Sequence, residues 1–453
     1  MRIAFITAGA AGMYCGSCMR DNTLVAALRR LGHDALLIPT YTPIRTDEAD
    51  ISQGRVFFGG INVYLQQKAW LFRHTPRLVD WLLDRPRLLR WVSRFAARTK
   101  YSELGGMTVS MLRGADGMQR KEVARLAGWL AAEVRPEVVV FSNALLSGVI
   151  PRLKQALGVP ILVTLQGDDI FLDALPEADR RACVELIRRN TAAADGFFTT
   201  SRYYADHMAG YLGVPREKMH VVHPGLNLAG HGGPRPARRG GPLAVGYFAR
   251  VCPEKGFHHA VEAFIHLRRT PGVPAHRLRA SGWLGDNDRP FYEEQVRRLA
   301  AAGLAGDFEY VPSPAHADKV RFFRSVDVLT VPTTYREPKG LYVLEAWANG
   351  VPVVQPAHGA FPELVEATGG GLLVPSGDPP ALAAGLRRLL DDHDFREAAA
   401  EAGAAAVRAR FTAEVMAKET AAVLERYLHQ QRVGGAGRPG GGRPRPTLQC
   451  LGS

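Results

Sequence analysis

The first strand sets the fold. RIAFIT (2–7) is an apolar run with no polar residue alternating through it. A strand of that kind is covered on both faces, as in a parallel sheet flanked by helices. A glycine-containing loop follows, then a helical pattern through NTLVAALRRLG and a second strand, DALLIPT. The rhythm returns at EVVVFS (137–142), PILVTLQ (160–166), DGFFTTS (195–201) and MHVVHPG (219–225). AGHGGPRPARRGG (229–241) has no apolar periodicity and reads as a linker. A second alternating set starts at LAVGYFA (243–249) and runs through RLRASG, DFEYVP, DVLTVP, VPVVQP and GLLVPS. The fold class is therefore α/β, with two doubly wound domains. They are expected over residues 1–228 and 242–410. A last helix is expected over 411–432, either closing the second domain or crossing back to the first. The Gly/Pro/Arg-rich stretch 433–453 is expected to be disordered.

A chain of 453 residues is too long for one ordinary core, and 46% hydrophobic with 22% charged residues fits a globular protein. The net charge of +13 is not spread over the body. Residues 66–100 carry nine Lys/Arg against Asp80 and Asp84, a net of +7, and Arg432, Arg438, Arg443 and Arg445 add four more. A general nucleic-acid surface is disfavoured by that placement, whereas a local basic patch is not. In segment 66–100, Leu88, Trp91, Val92 and Phe95 share one helical face with Arg87, Arg90, Arg94 and Arg98 around it. Two readings stay open: a helix lying on an anionic membrane, or one packing its apolar stripe on the sheet. No apolar run reaches the ~18 residues of a membrane span. The N-terminus begins on a strand rather than on a signal peptide. The five scattered cysteines form no disulfide framework, so a cytoplasmic protein is expected, at most peripheral at the inner membrane face. Cys15-Gly-Ser-Cys18 has the spacing of half a zinc site or a redox pair. No second ligand pair stands at suitable spacing, so the simplest reading is a Gly-rich loop that holds two thiols.

YREPKGLYVLEAWANGVPVV (335–354) carries two carboxylates, Glu337 ahead of a helix and Glu345 inside it. A helix opening near Gly340 offers unpaired N–H groups to an anion at the sheet mouth. Carboxylates beside such a site repel a phosphate, but they accept hydrogen bonds from hydroxyls flanking it, at roughly 1.5–3 kcal/mol each. A molecule with hydroxyls on both sides of a diphosphate is a nucleotide sugar. The diphosphate then needs cations, and Arg250 and Lys255 follow the strand 243–249, where open α/β sheets place ligands.

These residues bring the chain close to a known family. FARVCPEKGFHHAVEAF (248–264), EPKGLYVLEAWANGVPVV (337–354) and GGGLLVPSGDPPALAAGLRRLLDD (369–392) resemble the retaining nucleotide-sugar glycosyltransferases of glycosyltransferase family 4. GLN (225–227) and ADGFFTTS (194–201) agree more loosely, and the resemblance reaches to about residue 430. It implies the GT-B fold, two Rossmann-like domains facing across a cleft. By that resemblance Arg250 and Lys255 hold the donor diphosphate as it leaves, Glu337 binds donor-sugar hydroxyls, and Glu345 binds the ribose. Backbone N–H groups near Gly340 and Leu341, and in the loop at Gly12 and Met13, close on the phosphates. The family needs no metal or other cofactor, and its partners are a nucleotide sugar and a hydroxyl acceptor, lipid-linked or a growing glycan.

Two departures from the family pattern stand out. Where many relatives carry His-Gly near the acceptor, this chain has Gln166-Gly167-Asp168-Asp169. Gln166 cannot take a proton, so a positional role on the acceptor side is expected for it and for Asp169. Lys339 replaces the usual Phe in Glu-Pro-Phe-Gly, either as a donor contact or as a solvated side chain. His223, His258 and His259 have no partner at a telling spacing and read as structural or surface residues. An epimerase on the same fold, or a non-catalytic binder of sugar nucleotides, remains the alternative.

Overall fold

The computed structural model describes residues 1–9, 15–54, 57, 101–232, 241–313 and 315–436. Gly12 and Met13, the basic segment 66–100, most of the linker and the end of the tail lie outside the described residues.

Two six-stranded sheets, each entirely parallel, form the frame. The first contains β1 (Arg2–Thr7), β2 (Asp34–Pro39), β3 (Val138–Phe141), β4 (Ile161–Leu165), β5 (Gly196–Thr199) and β6 (Met219–Val221), in the order β2-β1-β3-β4-β5-β6. The second contains β7 (Leu243–Phe248), β8 (His276–Ser281), β9 (Phe308–Tyr310), β10 (Val328–Leu329), β11 (Val353–Pro356) and β12 (Gly371–Val374), in the order β12-β11-β10-β7-β8-β9. The expected α/β class and both doubly wound sheets are therefore present. Their near-continuous burial is the reason the strands read as apolar runs.

Each order reverses direction once, between β1 and β3 in the first sheet and between β7 and β10 in the second. Loops leaving the carboxyl ends of those neighbours diverge to opposite faces and leave a crevice, where this architecture binds ligands. Arg250 and Lys255 follow β7, and Glu337 follows β10. The second sheet's crevice thus gathers the residues that the sequence singles out.

Helix Ala413–Ala436 returns to the first sheet. Leu226 N–H donates to the Phe411 carbonyl and Ala413 N–H to the Leu226 carbonyl, both at 2.8 Å, and this exchange sends the chain back. Met416, Ala417, Val423 and Leu424 then share a core with Ile3, Phe5, Val138, Leu162 and Phe198. The helix covers apolar surface on the first sheet and continues through Val433–Ala436, residues that the sequence reading put in the disordered tail. Among the described residues no helix is long and apolar enough to cross a membrane.

Candidate functional site

Lys255 ends a single 3-10 turn, Pro253–Lys255, and Gly256 turns the chain into helix Phe257–Arg269. Gly256 has φ +70°, and a Cβ there would stand 1.7 Å from the Pro332 carbonyl oxygen. The loops after β7 and β10 can approach this closely because that side chain is missing. Lys255 Nζ therefore reaches Glu337 Oε2 at 2.8 Å. It also lies 5.0 Å from the ring centroids of both Tyr335 and Tyr342, a cation–π position.

Glu337 is buried, and both of its oxygens accept hydrogen bonds. Oε2 accepts from the hydroxyls of Tyr335 (3.0 Å) and Tyr342 (3.1 Å) as well as from Lys255. Oε1 accepts the N–H groups of Lys339 (3.4 Å) and Gly340 (3.3 Å). Burial works against its charge, but the Lys255 ammonium outweighs it, helped by Lys339 and the Gly340 N–H, and holds the carboxyl down to about 2. Glu337 is thus a carboxylate at any ordinary pH, an acceptor of hydrogen bonds. The Gly340 N–H, expected to face a phosphate, is instead given to Glu337. The first anion at the mouth of helix Leu341–Ala348 is the chain's own carboxylate. Leu341 is the first residue of that helix.

Gly359 fixes the backbone of Glu337 from the other side. It has φ +62°, and a Cβ there would stand 2.5 Å from the Glu337 carbonyl oxygen and 2.6 Å from its nitrogen. Gly359→Ala is expected to destabilise the protein by more than the roughly 1–2 kcal/mol of the left-handed conformation alone, because the clash is with backbone. Thermal denaturation should show the loss. Catalytic turnover should fall with it, since the displaced group is Glu337.

Arg250 is not drawn into this cluster. Its Nε donates to Cys252 Sγ at 3.1 Å, and its guanidinium lies 3.5 Å from Glu254. Glu345 is buried in helix Leu341–Ala348 and meets Lys319 Nζ at 2.5 Å. Lys319 in turn lies 2.5 Å from Asp47, which belongs to the first domain. Burial disfavours the Lys319 ammonium, yet the two carboxylates hold it charged and raise its pKa. Beside this chain of charges, Arg45 stacks over Trp283 at 5.3 Å, in the loop SGWLGDN that follows β8.

The domains meet through the same loops. Lys339 is not solvated: its Nζ donates to Ser17 Oγ and to the Gln166 carbonyl, each at 2.8 Å, across the cleft. The Pro338 carbonyl accepts from Thr200 Oγ1 (2.8 Å) and Ser201 Oγ (3.1 Å). Glu363 caps helix Arg202–Leu212 from the opposite domain, accepting the N–H groups of Arg202 (2.8 Å) and Tyr203 (3.2 Å). His223, read above as lacking a partner, lies 2.7 Å from Glu363 and joins that contact.

In the first domain, Gln166 Nε2 donates to the Ser142 carbonyl at 2.8 Å and lies 3.4 Å from Asp21. Burial raises the Asp21 carboxyl to about 6 against the pull of Arg20 and Lys339. Asp169 turns toward helix Arg202–Leu212, accepting from the Tyr204 hydroxyl at 2.5 Å and lying 3.0 Å from His207 Nε2. The structure therefore brings Lys255, Glu337, Lys339 and Gly340 together, with Glu345 one turn along the helix, and leaves Arg250 and Asp169 with other partners. Ser17, Asp47, Lys319, Tyr335 and Tyr342 have no motif of their own and become visible only through these contacts.

A family model described as "Glycosyl transferases group 1" matches residues 234–406, and another described as "Glycosyl transferase 4-like domain" matches residues 22–225. A D-inositol 3-phosphate glycosyltransferase of Salinispora arenicola is 26% identical over 76% of this chain and 82% of its own length. A glycogen synthase of Mycobacterium tuberculosis is 28% identical over 74% of this chain and 76% of its own. Among solved structures, Anabaena HepE in complex with UDP superposes with a TM-score of 0.66 at 17% identity, covering 94% of this chain and all of its own. The sucrose-phosphate synthase of Thermosynechococcus elongatus does so with 0.68 at 19%, covering 95% of this chain and all of its own.

Two facing doubly wound domains with a charged crevice between them have the GT-B fold. The two family models together span most of both domains, and the chain belongs to glycosyltransferase family 4. It is an enzyme of the hexosyltransferase type.

Proposed function

We propose that this enzyme transfers a hexosyl group from a nucleotide diphosphate sugar, UDP- or GDP-linked, to a hydroxyl acceptor with retention of configuration. The observation that carries the reading is the Lys255–Glu337 pair, held at 2.8 Å at the β7/β10 switch point. Lys255 sits where a departing diphosphate gains negative charge, and a fixed ammonium there stabilises the transition state. Arg250 follows the same strand and reaches the diphosphate by leaving Glu254. Glu337 accepts donor-sugar hydroxyls, and Glu345 accepts ribose hydroxyls one turn into the helix. Gly12 and Met13, between β1 and helix Gly16–Arg30 in the sequence, would close on the phosphates through their backbone N–H groups.

In the transfer, the bond from the anomeric carbon to the phosphate oxygen breaks and the electron pair leaves with the diphosphate. The acceptor oxygen bonds to that carbon on the same face, and its proton passes to the departing phosphate oxygen. No side-chain base is required, which suits Gln166 at the acceptor side. Lysine and arginine supply the positive charge, so no metal is required.

Calorimetric titration with UDP, GDP and ADP tests the donor class. One of them is expected to bind in the micromolar range, about −8 kcal/mol; binding of none would overturn the assignment. With that nucleotide's sugar and EDTA present, nucleotide release is expected to require a hydroxyl acceptor. A product formed without any acceptor would favour an epimerase instead.

A further inference from the structure

The pair Cys15-Gly-Ser-Cys18 is placed in an unusual setting. Cys15 stands at the head of the 15-residue helix Gly16–Arg30, and Cys18 lies one turn along it. Three positions apart at the helix head, the two cysteines lie on the same side of its first turn. Cys15 is half-buried at the cleft, whereas Cys18 is buried behind it. Across the cleft the Lys339 ammonium faces Cys15, anchored by its bond to Ser17 between the two cysteines.

We propose that Cys15 and Cys18 form a thiol–disulfide exchange site at the mouth of the donor cleft, Cys15 attacking and Cys18 resolving. A nucleophilic thiol must be ionised and reachable, and its resolving partner must be adjacent and shielded. The hydrogen bond from Cys18 comes first in favouring the Cys15 thiolate and, with Lys339 and against burial, brings Cys15 down to about 5. The same bond, then burial, pushes Cys18 upward. The other described cysteines lack this setting. Burial raises Cys183 to about 11, and burial also raises Cys252 despite its bond from Arg250.

The chemistry closes with a small-molecule disulfide such as glutathione disulfide as oxidant. The Cys15 thiolate attacks one sulfur, forming a mixed disulfide and expelling one glutathione thiolate. That thiolate takes the Cys18 proton, and the Cys18 sulfur then attacks Cys15, expelling the second glutathione. The protein loses two electrons and one proton and gains one internal disulfide; the oxidant becomes one thiol and one thiolate. Oxidation removes the negative charge that faces Lys339 and ties the end of the loop after β1 to its helix. The thiol readout needs no nucleotide, so it stands or falls apart from the donor assignment.

The test uses the full reduced chain. At about pH 6 an ordinary thiol is ~99% or more protonated. Iodoacetamide should therefore alkylate Cys15 at least ~10-fold faster than Cys183 or Cys252, read by peptide mass spectrometry. Exposure to glutathione disulfide should yield the Cys15–Cys18 disulfide. Cys18→Ser should stop at a glutathione adduct on Cys15, and Cys15→Ser should give no disulfide at this site. Alkylation of Cys15 no faster than of Cys183 and Cys252, or two free thiols in the wild-type chain after glutathione disulfide, would overturn the proposal.

Discussion

Replacing Lys255 with alanine is expected to slow turnover by on the order of 10²–10³ while the nucleotide still binds. The ammonium has two neighbours to serve. Towards the donor it meets charge that grows as the diphosphate leaves, so its loss raises the barrier more than it weakens the ground state. Towards the protein it balances Glu337, a carboxylate buried among two tyrosines and two backbone N–H groups. Without Lys255 that carboxylate loses its cation, which costs roughly 3 kcal/mol in buried pairs. The Lys255→Ala protein should therefore also melt earlier, and Glu337 should take a proton at higher pH than before. Single-turnover kinetics on folded protein, checked by circular dichroism, separate the two effects. Near-normal turnover in folded Lys255→Ala would refute the leaving-group role.

The second large effect is expected at Glu345. Glu345→Ala should weaken the bound nucleotide roughly 10- to 100-fold, through the loss of one or two charge-assisted bonds to ribose. The structure makes this variant a clean probe. Lys319 would keep Asp47 at 2.5 Å, so the substitution does not strand a buried ammonium. Calorimetry on wild type and variant reads the change directly. An unchanged dissociation constant would place the ribose elsewhere, with Trp283 and Arg45 the next residues to probe.

Much of the fold was legible because parallel strands advertise themselves. RIAFIT, EVVVFS and LAVGYFA have apolar centres without alternation since helices cover both faces, and each lies on or within one residue of an observed strand. Glu337, Lys255 and Gly340 were legible as well, because strand-to-helix loops at a switch point are the places such a sheet can bind anything. The partners of these residues were not. No local pattern links Lys319 to Asp47, or Lys339 to Ser17 and the Gln166 carbonyl, because these pairs join residues from opposite domains. His223 had no partner at a readable spacing for the same reason, since Glu363 reaches it only when the domains face each other.

The sequence by itself determined the two doubly wound sheets, the family, and the loops after β7 and β10 where Lys255, Glu337 and Gly340 meet. Period and spacing are local, and they survive in one dimension. The tertiary structure alone decided that Glu337 takes the Gly340 N–H, that Arg250 rests on Cys252 and Glu254, and that the last helix runs to Ala436 on the first sheet. It also decided that two thiols in a Gly-rich loop become a helix-head pair facing a lysine. The last helix follows apolar surface contributed by residues far apart in the chain. The other outcomes depend on which charge lies within a few ångströms after folding, and Coulomb energy follows that distance rather than separation along the chain.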